Sequence, residues 1–209
     1  MTLALLHTSP VHVPVFDALR DTDHPGLALR HLVSEDLLAR ARDEGPEAVS
    51  DEIRALLAGA VAEGASAVLC TCSTIGGVAE SAGATAGAPV LRVDRPMAAA
   101  AAERDRVVVL AALGDTLAPT LALLDEEVAD RPVEVRTVLV EGAWARFEAG
   151  DRDGFLDLVA AAADAVTDAD VIVLAQASMA DAATRTVTRI PVLASPRTGL
   201  AAAAAAAAR

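Results

Sequence analysis

The feature that most restricts how this chain can fold is that its sequence pattern occurs twice. A shift of about a hundred positions lays the apolar run Leu3-Ala4-Leu5-Leu6-His7-Thr8 on Val107 to Leu113. A similar shift carries residues 67–74 onto 171–178, and Pro89-Val90-Leu91 onto Pro191-Val192-Leu193. Three strand ends recurring in the same order are more than an alanine-rich composition would give. The repeat predicts two α/β halves facing one another across a cleft; two adjacent βαβ units within one sheet would produce the same repeat.

Read in order, the first half starts with the buried strand at 3–8, which Ser9-Pro10 stops. Val15, Phe16 and Leu19 then recur at helical spacing within 14–21. Residues 27–33 form a short strand, and Ser34-Glu35-Asp36 caps a helix that Gly45-Pro46 terminates. From Ser50 onward, Ile53, Leu56, Leu57, Ala60 and Val61 share one helix face, and Gly64 stops that helix. Residues 67–71 and 89–93 are strands, separated by a helix whose glycines lower its propensity and leave it to tertiary packing. In the second half, 106–113 and 170–175 are buried strands, and 133–140 alternates as a more exposed one. Helices are predicted near 117–127 and 153–166, and Ala201 to Ala208 form a closing helix of high propensity ending in Arg209.

The chemistry concentrates where residues 67–71 empty into Cys72-Ser73-Thr74-Ile75-Gly76-Gly77. Open parallel sheets place their sites outside the carboxyl ends of the strands. A cysteine there, with helix N–H groups ahead of it, is held toward the reactive thiolate. Cys70 belongs to the strand interior and should be inert. The alternative is that both cysteines are small buried hydrophobes. One residue apart in an extended strand, they do not form an ordinary structural disulfide. His7, His12, His24 and His31 are dispersed, so no metal site is expected.

Composition narrows the function classes. Hydrophobic residues make up 54% of the 209, which excludes disorder. The net charge of -13 opposes a polyanion, and Phe16, Trp144, Phe147 and Phe155 are the whole aromatic set, too few for a base-stacking platform. Nucleic acid is therefore not an expected partner. Residues 3–6 are too short an apolar run for a signal peptide or a membrane span, so a cytoplasmic protein without membrane association is expected.

The elements from Leu6-His7-Thr8 through Leu69-Cys70-Thr71-Cys72-Ser73-Thr74 and Ala111-Ala112-Leu113-Gly114-Asp115-Thr116 to Leu174-Ala175-Gln176-Ala177-Ser178 resemble the aspartate/glutamate racemase superfamily. That superfamily includes hydantoin racemases, maleate isomerases and arylmalonate decarboxylase, and the likeness spans nearly the whole chain. It implies an α/β fold of two pseudo-symmetric Rossmann-like lobes with largely parallel sheets, a small carboxylate bound between them, no cofactor, and a homodimer. The lobes would be 1–97 completed by 197–209, and 98–196. It also implies a cysteine at one strand end of each lobe. Cys72 falls on the first position and Gln176 on the second. A carboxamide does not exchange a proton near neutral pH, so symmetric two-base racemisation is not expected.

These readings assign Cys72 the proton-transfer or nucleophilic role, through an enolate or a thiol adduct. His7 is the candidate second acid or base, with a structural histidine as its alternative. Thr8, Ser73, Thr74 and Thr116 are candidates to bind a carboxylate or enolate oxygen, against plain roles as helix caps or turn residues. Gln176, Ala177 and Ser178 are substrate-binding candidates, and Arg95 and Arg197 are candidate anion anchors, each with surface ion pairing as the alternative. Three function classes follow: a single-cysteine isomerase, racemase-like or decarboxylase-like enzyme; a small-carboxylate binding or regulatory protein; and a structural protein with a coincidental Cys-Ser-Thr turn.

Overall fold

A computed structural model describes every residue, Met1–Arg209. The first half runs β1 (Thr2–His7), α1 (Val13–Asp23), β2 (Ala28–Val33), α2 (Glu35–Glu44), α3 (Ser50–Ala62), β3 (Ala67–Cys70), α4 (Ser73–Ala82), β4 (Val90–Arg92) and α5 (Arg95–Ala102). The second runs β5 (Arg106–Ala111), α6 (Leu117–Val128), β6 (Glu134–Leu139), α7 (Ala143–Glu148), α8 (Arg152–Asp164), β7 (Val171–Leu174), β8 (Val192–Ala194) and α9 (Ser195–Ala207). Short 3-10 turns fill several junctions.

Each half has its own sheet of four parallel strands, ordered β2-β1-β3-β4 and β6-β5-β7-β8. The two-sheet arrangement settles the choice left by the repeat: the halves are separate lobes of an α/β fold. The central strands β1, β3, β5 and β7 carry the unbroken apolar runs because both of their faces are covered. Edge strand β6 is mostly exposed, as its alternation of Glu134, Arg136 and apolar residues dictates.

In the first lobe, Leu6, Val68 and Cys70 pack under Ile53, Leu57, Ile75 and Ala79, while Leu3, Leu5 and Leu69 pack under Phe16, Leu200, Ala203 and Ala206. In the second, Val108, Leu110 and Ile172 meet Phe155, Leu156 and Val159 on one face. Val107, Val109 and Val173 meet Met97, Ala98, Ala101, Leu123 and Leu124 on the other.

The compact units are Met1–Arg95 with Pro196–Arg209, and Pro96–Ser195. Helix α5 thus leaves the first sheet to join the core of the second lobe, and α9 leaves the second sheet to join the core of the first. Gly199 is what lets α9 settle. A Cβ there would overlap the carbonyl oxygen of Val93 and lie 2.6 Å from Val93 Cγ2.

One local expectation changes, and the two lobes differ after one strand end. Ser34 precedes α2 but its hydroxyl does not cap it. After Gln176 the chain forms a 3-10 stretch, Ala177–Thr184, where the first lobe forms the α-helix α4. None of the helices is long and apolar enough to cross a membrane.

Candidate functional site

Cys72 follows β3 in extended conformation (φ -111°, ψ 119°) and is the residue from which α4 begins. It is half-buried, and its side chain makes no capping hydrogen bond to α4. Cys70, fully buried, donates its thiol to the Cys72 carbonyl across 3.6 Å. Burial pushes the Cys70 thiol far up, and the neighbouring Cys72 adds to the rise, so Cys70 stays protonated. The two cysteines are free. Ser73 is buried in the first turn of α4, and Thr74 is half-buried beside it.

The glycines after Cys72 have a packing reason. A Cβ at Gly76 would stand 3.1 Å from Arg92 Cβ and 3.2 Å from Arg92 Nε, and one at Gly77 would stand 3.4 Å from Arg92 Nη1. Arg92, at the end of β4, lies against this stretch of helix and forms a two-pronged pair with Asp94, Nε to Oδ1 at 2.7 Å and Nη2 to Oδ2 at 3.0 Å. The two side chains are 4% and 1% exposed, so the charges are paired because they are buried. The Ser-Thr-Ile-Gly-Gly motif therefore seats a buried ion pair against the helix that Cys72 opens.

His7 ends β1 with both ring nitrogens engaged. Nδ1 lies 2.8 Å from the Thr71 hydroxyl and Nε2 lies 2.8 Å from His31 Nδ1. His31 Nε2 in turn lies 3.4 Å from the Asp17 carboxylate. The Thr71 hydroxyl also donates to the Leu6 carbonyl at 3.2 Å, so a continuous row runs from Leu6 through Thr71, His7 and His31 to Asp17. The rings of His7 and His31 stack with centroids 5.1 Å apart, and His12 and Phe16 flank His7 at 6.4 and 5.6 Å. Burial, with the charges of His31 and His12 behind it, holds the His7 pKa down at about 3. Its two nitrogens are thus committed to Thr71 and His31, and neither is offered to Cys72. Thr8, next along, is 6% exposed, and its hydroxyl has no hydrogen-bond partner in the chain.

At the matching strand end of the second lobe, Gln176 is also extended (φ -116°, ψ 139°) and opens the 3-10 stretch. Its Oε1 accepts hydrogen bonds from Ala112 N–H at 2.7 Å and Leu113 N–H at 3.3 Å, the two amides that follow β5. Ala177 and Ser178 are half-buried beyond it. Thr116 is 3% exposed; its hydroxyl neither caps α6 nor bonds elsewhere, while its carbonyl accepts from the Thr120 hydroxyl at 2.8 Å.

Both arginine candidates have carboxylate partners. Arg95 Nε lies 2.9 and 3.0 Å from the two Glu80 oxygens, and Arg197 pairs with Asp23. Neither is an uncompensated cation. No three His, Cys, Asp or Glu side chains are grouped so as to hold a metal ion. Sequence reasoning missed Thr71, His31 and Asp17 around His7, and the Ala112 and Leu113 amides around Gln176. The signal for His31 is its place opposite Leu5, two residues short of the His7 pairing, so both histidines share one sheet face.

No protein-family model and no curated protein sequence matches this chain significantly. Solved structures do. The crystal structure of glutamate racemase from Francisella tularensis in complex with D-glutamate aligns with 98% of this chain and 80% of its own, at 10% identity and a TM-score of 0.74. Allantoin racemase from Klebsiella pneumoniae aligns over 100% and 88%, at 17% identity and 0.64. Arylmalonate decarboxylase aligns over 99% and 92%, at 21% identity and 0.61. The chain shares the two-lobed α/β fold of these three proteins.

Proposed function

We propose that this protein is a cofactor-independent, single-cysteine enzyme of the racemase, isomerase or decarboxylase type acting on a small carboxylate, with Cys72 as its one proton carrier. The observation that carries the reading is the contrast between the two strand ends: a half-buried thiol opens α4, while the corresponding residue of the other lobe is a carboxamide bonded to two main-chain amides. A thiol moves a proton near neutral pH and a carboxamide does not.

In the decarboxylase form of the reaction, the bond between the α-carbon and one carboxylate breaks and carbon dioxide leaves. The electron pair stays on the remaining carboxylate as an enediolate, the Cys72 thiol gives its proton to the α-carbon, and water restores the thiol. In the isomerase form, the Cys72 thiolate adds to the carbon–carbon double bond of an unsaturated carboxylate to give an enediolate; rotation about the former double bond and expulsion of the thiolate re-form it in the other geometry. The hydroxyls of Thr8 and Thr74, which follow the neighbouring strands β1 and β3, are the donors proposed for the enediolate oxygens. His7 is assigned a structural part, because Thr71 and His31 occupy its nitrogens.

Incubation with aspartate, glutamate, a hydantoin and an arylmalonate in deuterated water tests the proposal, following carbon dioxide release, enantiomeric excess and α-deuterium. Decarboxylation or isomerisation that disappears in Cys72→Ala is the expected result. Full racemisation of either amino acid with rapid α-exchange refutes the one-proton reading. The occupied amide pair behind Gln176 favours one further reading, a carboxylate-binding protein without turnover; ligand-induced stabilisation with no reaction across the same panel would select it.

A further inference from the structure

Gln176 does more than lack a dissociable proton. Its clamp consists of two N–H donors, Ala112 and Leu113, so the atom between them must be the carboxamide oxygen. The amino group is thereby fixed on the other branch of the amide. It donates to no group of the chain, and the residue is only half-buried, so its two N–H bonds remain available to a ligand. A flexible glutamine would offer either a donor or an acceptor by rotating about its last bond; pinned through oxygen, this one offers donors only. The neighbouring Thr116 hydroxyl, on a residue 3% exposed, also lacks a partner in the chain. By contrast, Arg95, Arg197, Arg92 and His7 are all satisfied from within.

We propose that the Gln176 carboxamide is an acceptor-selective anchor: Nε2 donates to a carboxylate or carbonyl oxygen of the ligand and disfavours a ligand that presents an ammonium group there. The proposal rests on the small-carboxylate reading above and narrows it to a substrate class, carboxylic acids without an α-ammonium group. An ammonium is donor-only and meets donors at this position. One or two hydrogen bonds lost in this way correspond to roughly a ten- to hundredfold difference in affinity.

The matched probes are malonate and aminomalonate, which differ by that one group, titrated calorimetrically into the full chain. Wild type should bind malonate at least tenfold more tightly than aminomalonate. Gln176→Glu keeps an oxygen for the amide clamp but replaces the amino group with a charged acceptor. It should weaken malonate binding at least tenfold and abolish the preference. Gln176→Met, similar in length and without donors, guards against misfolding of the charged variant and should also weaken malonate binding. Circular dichroism confirms that each variant is folded. Unchanged malonate affinity in both variants, a wild-type preference for aminomalonate, or no malonate binding by wild type each overturn the proposal. Cys72→Ala separates the two claims. Malonate binding that survives in Cys72→Ala, with Gln176-dependent selectivity but no turnover by wild type, upholds the anchor while the catalytic reading fails. Cys72-dependent turnover with a KM indifferent to Gln176 does the reverse.

Discussion

Acidification between pH 7 and 5 should destabilise the protein through histidines that burial holds neutral, His7 foremost. Unfolded, His7 takes up a proton around pH 6.5; folded, it resists until about pH 3. The folded pKa lies below the unfolded one, so the stabilisation is complete above pH 6.5, falls as the pH drops through that value, and is spent by about pH 3. One pKa unit corresponds to about 1.4 kcal/mol, which gives a loss of about 2 kcal/mol from pH 7 to pH 5. Stability for a domain of ordinary size is about 5–15 kcal/mol, so this is a measurable share. Burial also holds His12 low, at about 4, and the wild-type slope carries that contribution too. The comparison that isolates His7 is therefore wild type against His7→Asn, by urea unfolding at half-unit steps. Asn can still meet Thr71, and the variant sits lower at pH 7 for the lost His31 contact, but its stability should fall by about 2 kcal/mol less over the two pH units. Parallel curves would refute the reasoning, as would an NMR titration in which the His7 ring protonates near pH 6.5 in the folded protein. The lowered Asp151 and Asp170 titrate below this window.

The two cysteines should separate on chemical labelling: iodoacetamide should modify Cys72 roughly tenfold or more faster than Cys70, which is fully buried and held protonated. Peptide mass spectrometry reads the ratio, and equally slow labelling of both would place Cys72 in the core as well. Gly199→Ala should cost about 1–3 kcal/mol in urea unfolding, because the added methyl meets the Val93 main chain, which does not yield as a side-chain tip would. An unchanged midpoint would mean that α9 is free to shift outward.

Much of the fold was legible because its central strands are simple. Leu3 to Leu6, Val107 to Ala111 and Val171 to Leu174 are apolar on both faces, and that pattern has few readings other than a covered parallel strand. Strand ends were legible too, and they located Cys72, Gln176, Thr8 and Thr116. The partners of those residues were not, since they depend on register between strands and on side chains far apart in the chain. His31 meets His7 only through the pairing of β2 with β1, and Gln176 meets Ala112 and Leu113 only through the pairing of β7 with β5. Glu80, which neutralises Arg95, sits on the helix that precedes it, and Asp23, which pairs with Arg197, sits at the end of α1. Gly76 and Gly77 read as weak helix formers, whereas in the structure they make room for Arg92.

The crossing of α5 and α9 has a bearing on how the molecule comes into being. A ribosome has made all eight strands before it makes the helix that covers Leu3, Leu5 and Leu69. Until Leu200, Ala203 and Ala206 emerge, one face of the first sheet stays partly bare, so the half synthesised first is the half finished last. The second lobe has no such delay, because its borrowed helix α5 precedes all its strands. A stalled or clipped chain would accordingly hold one closed lobe and one open one, its unprotected sheet marking it for chaperones or proteases.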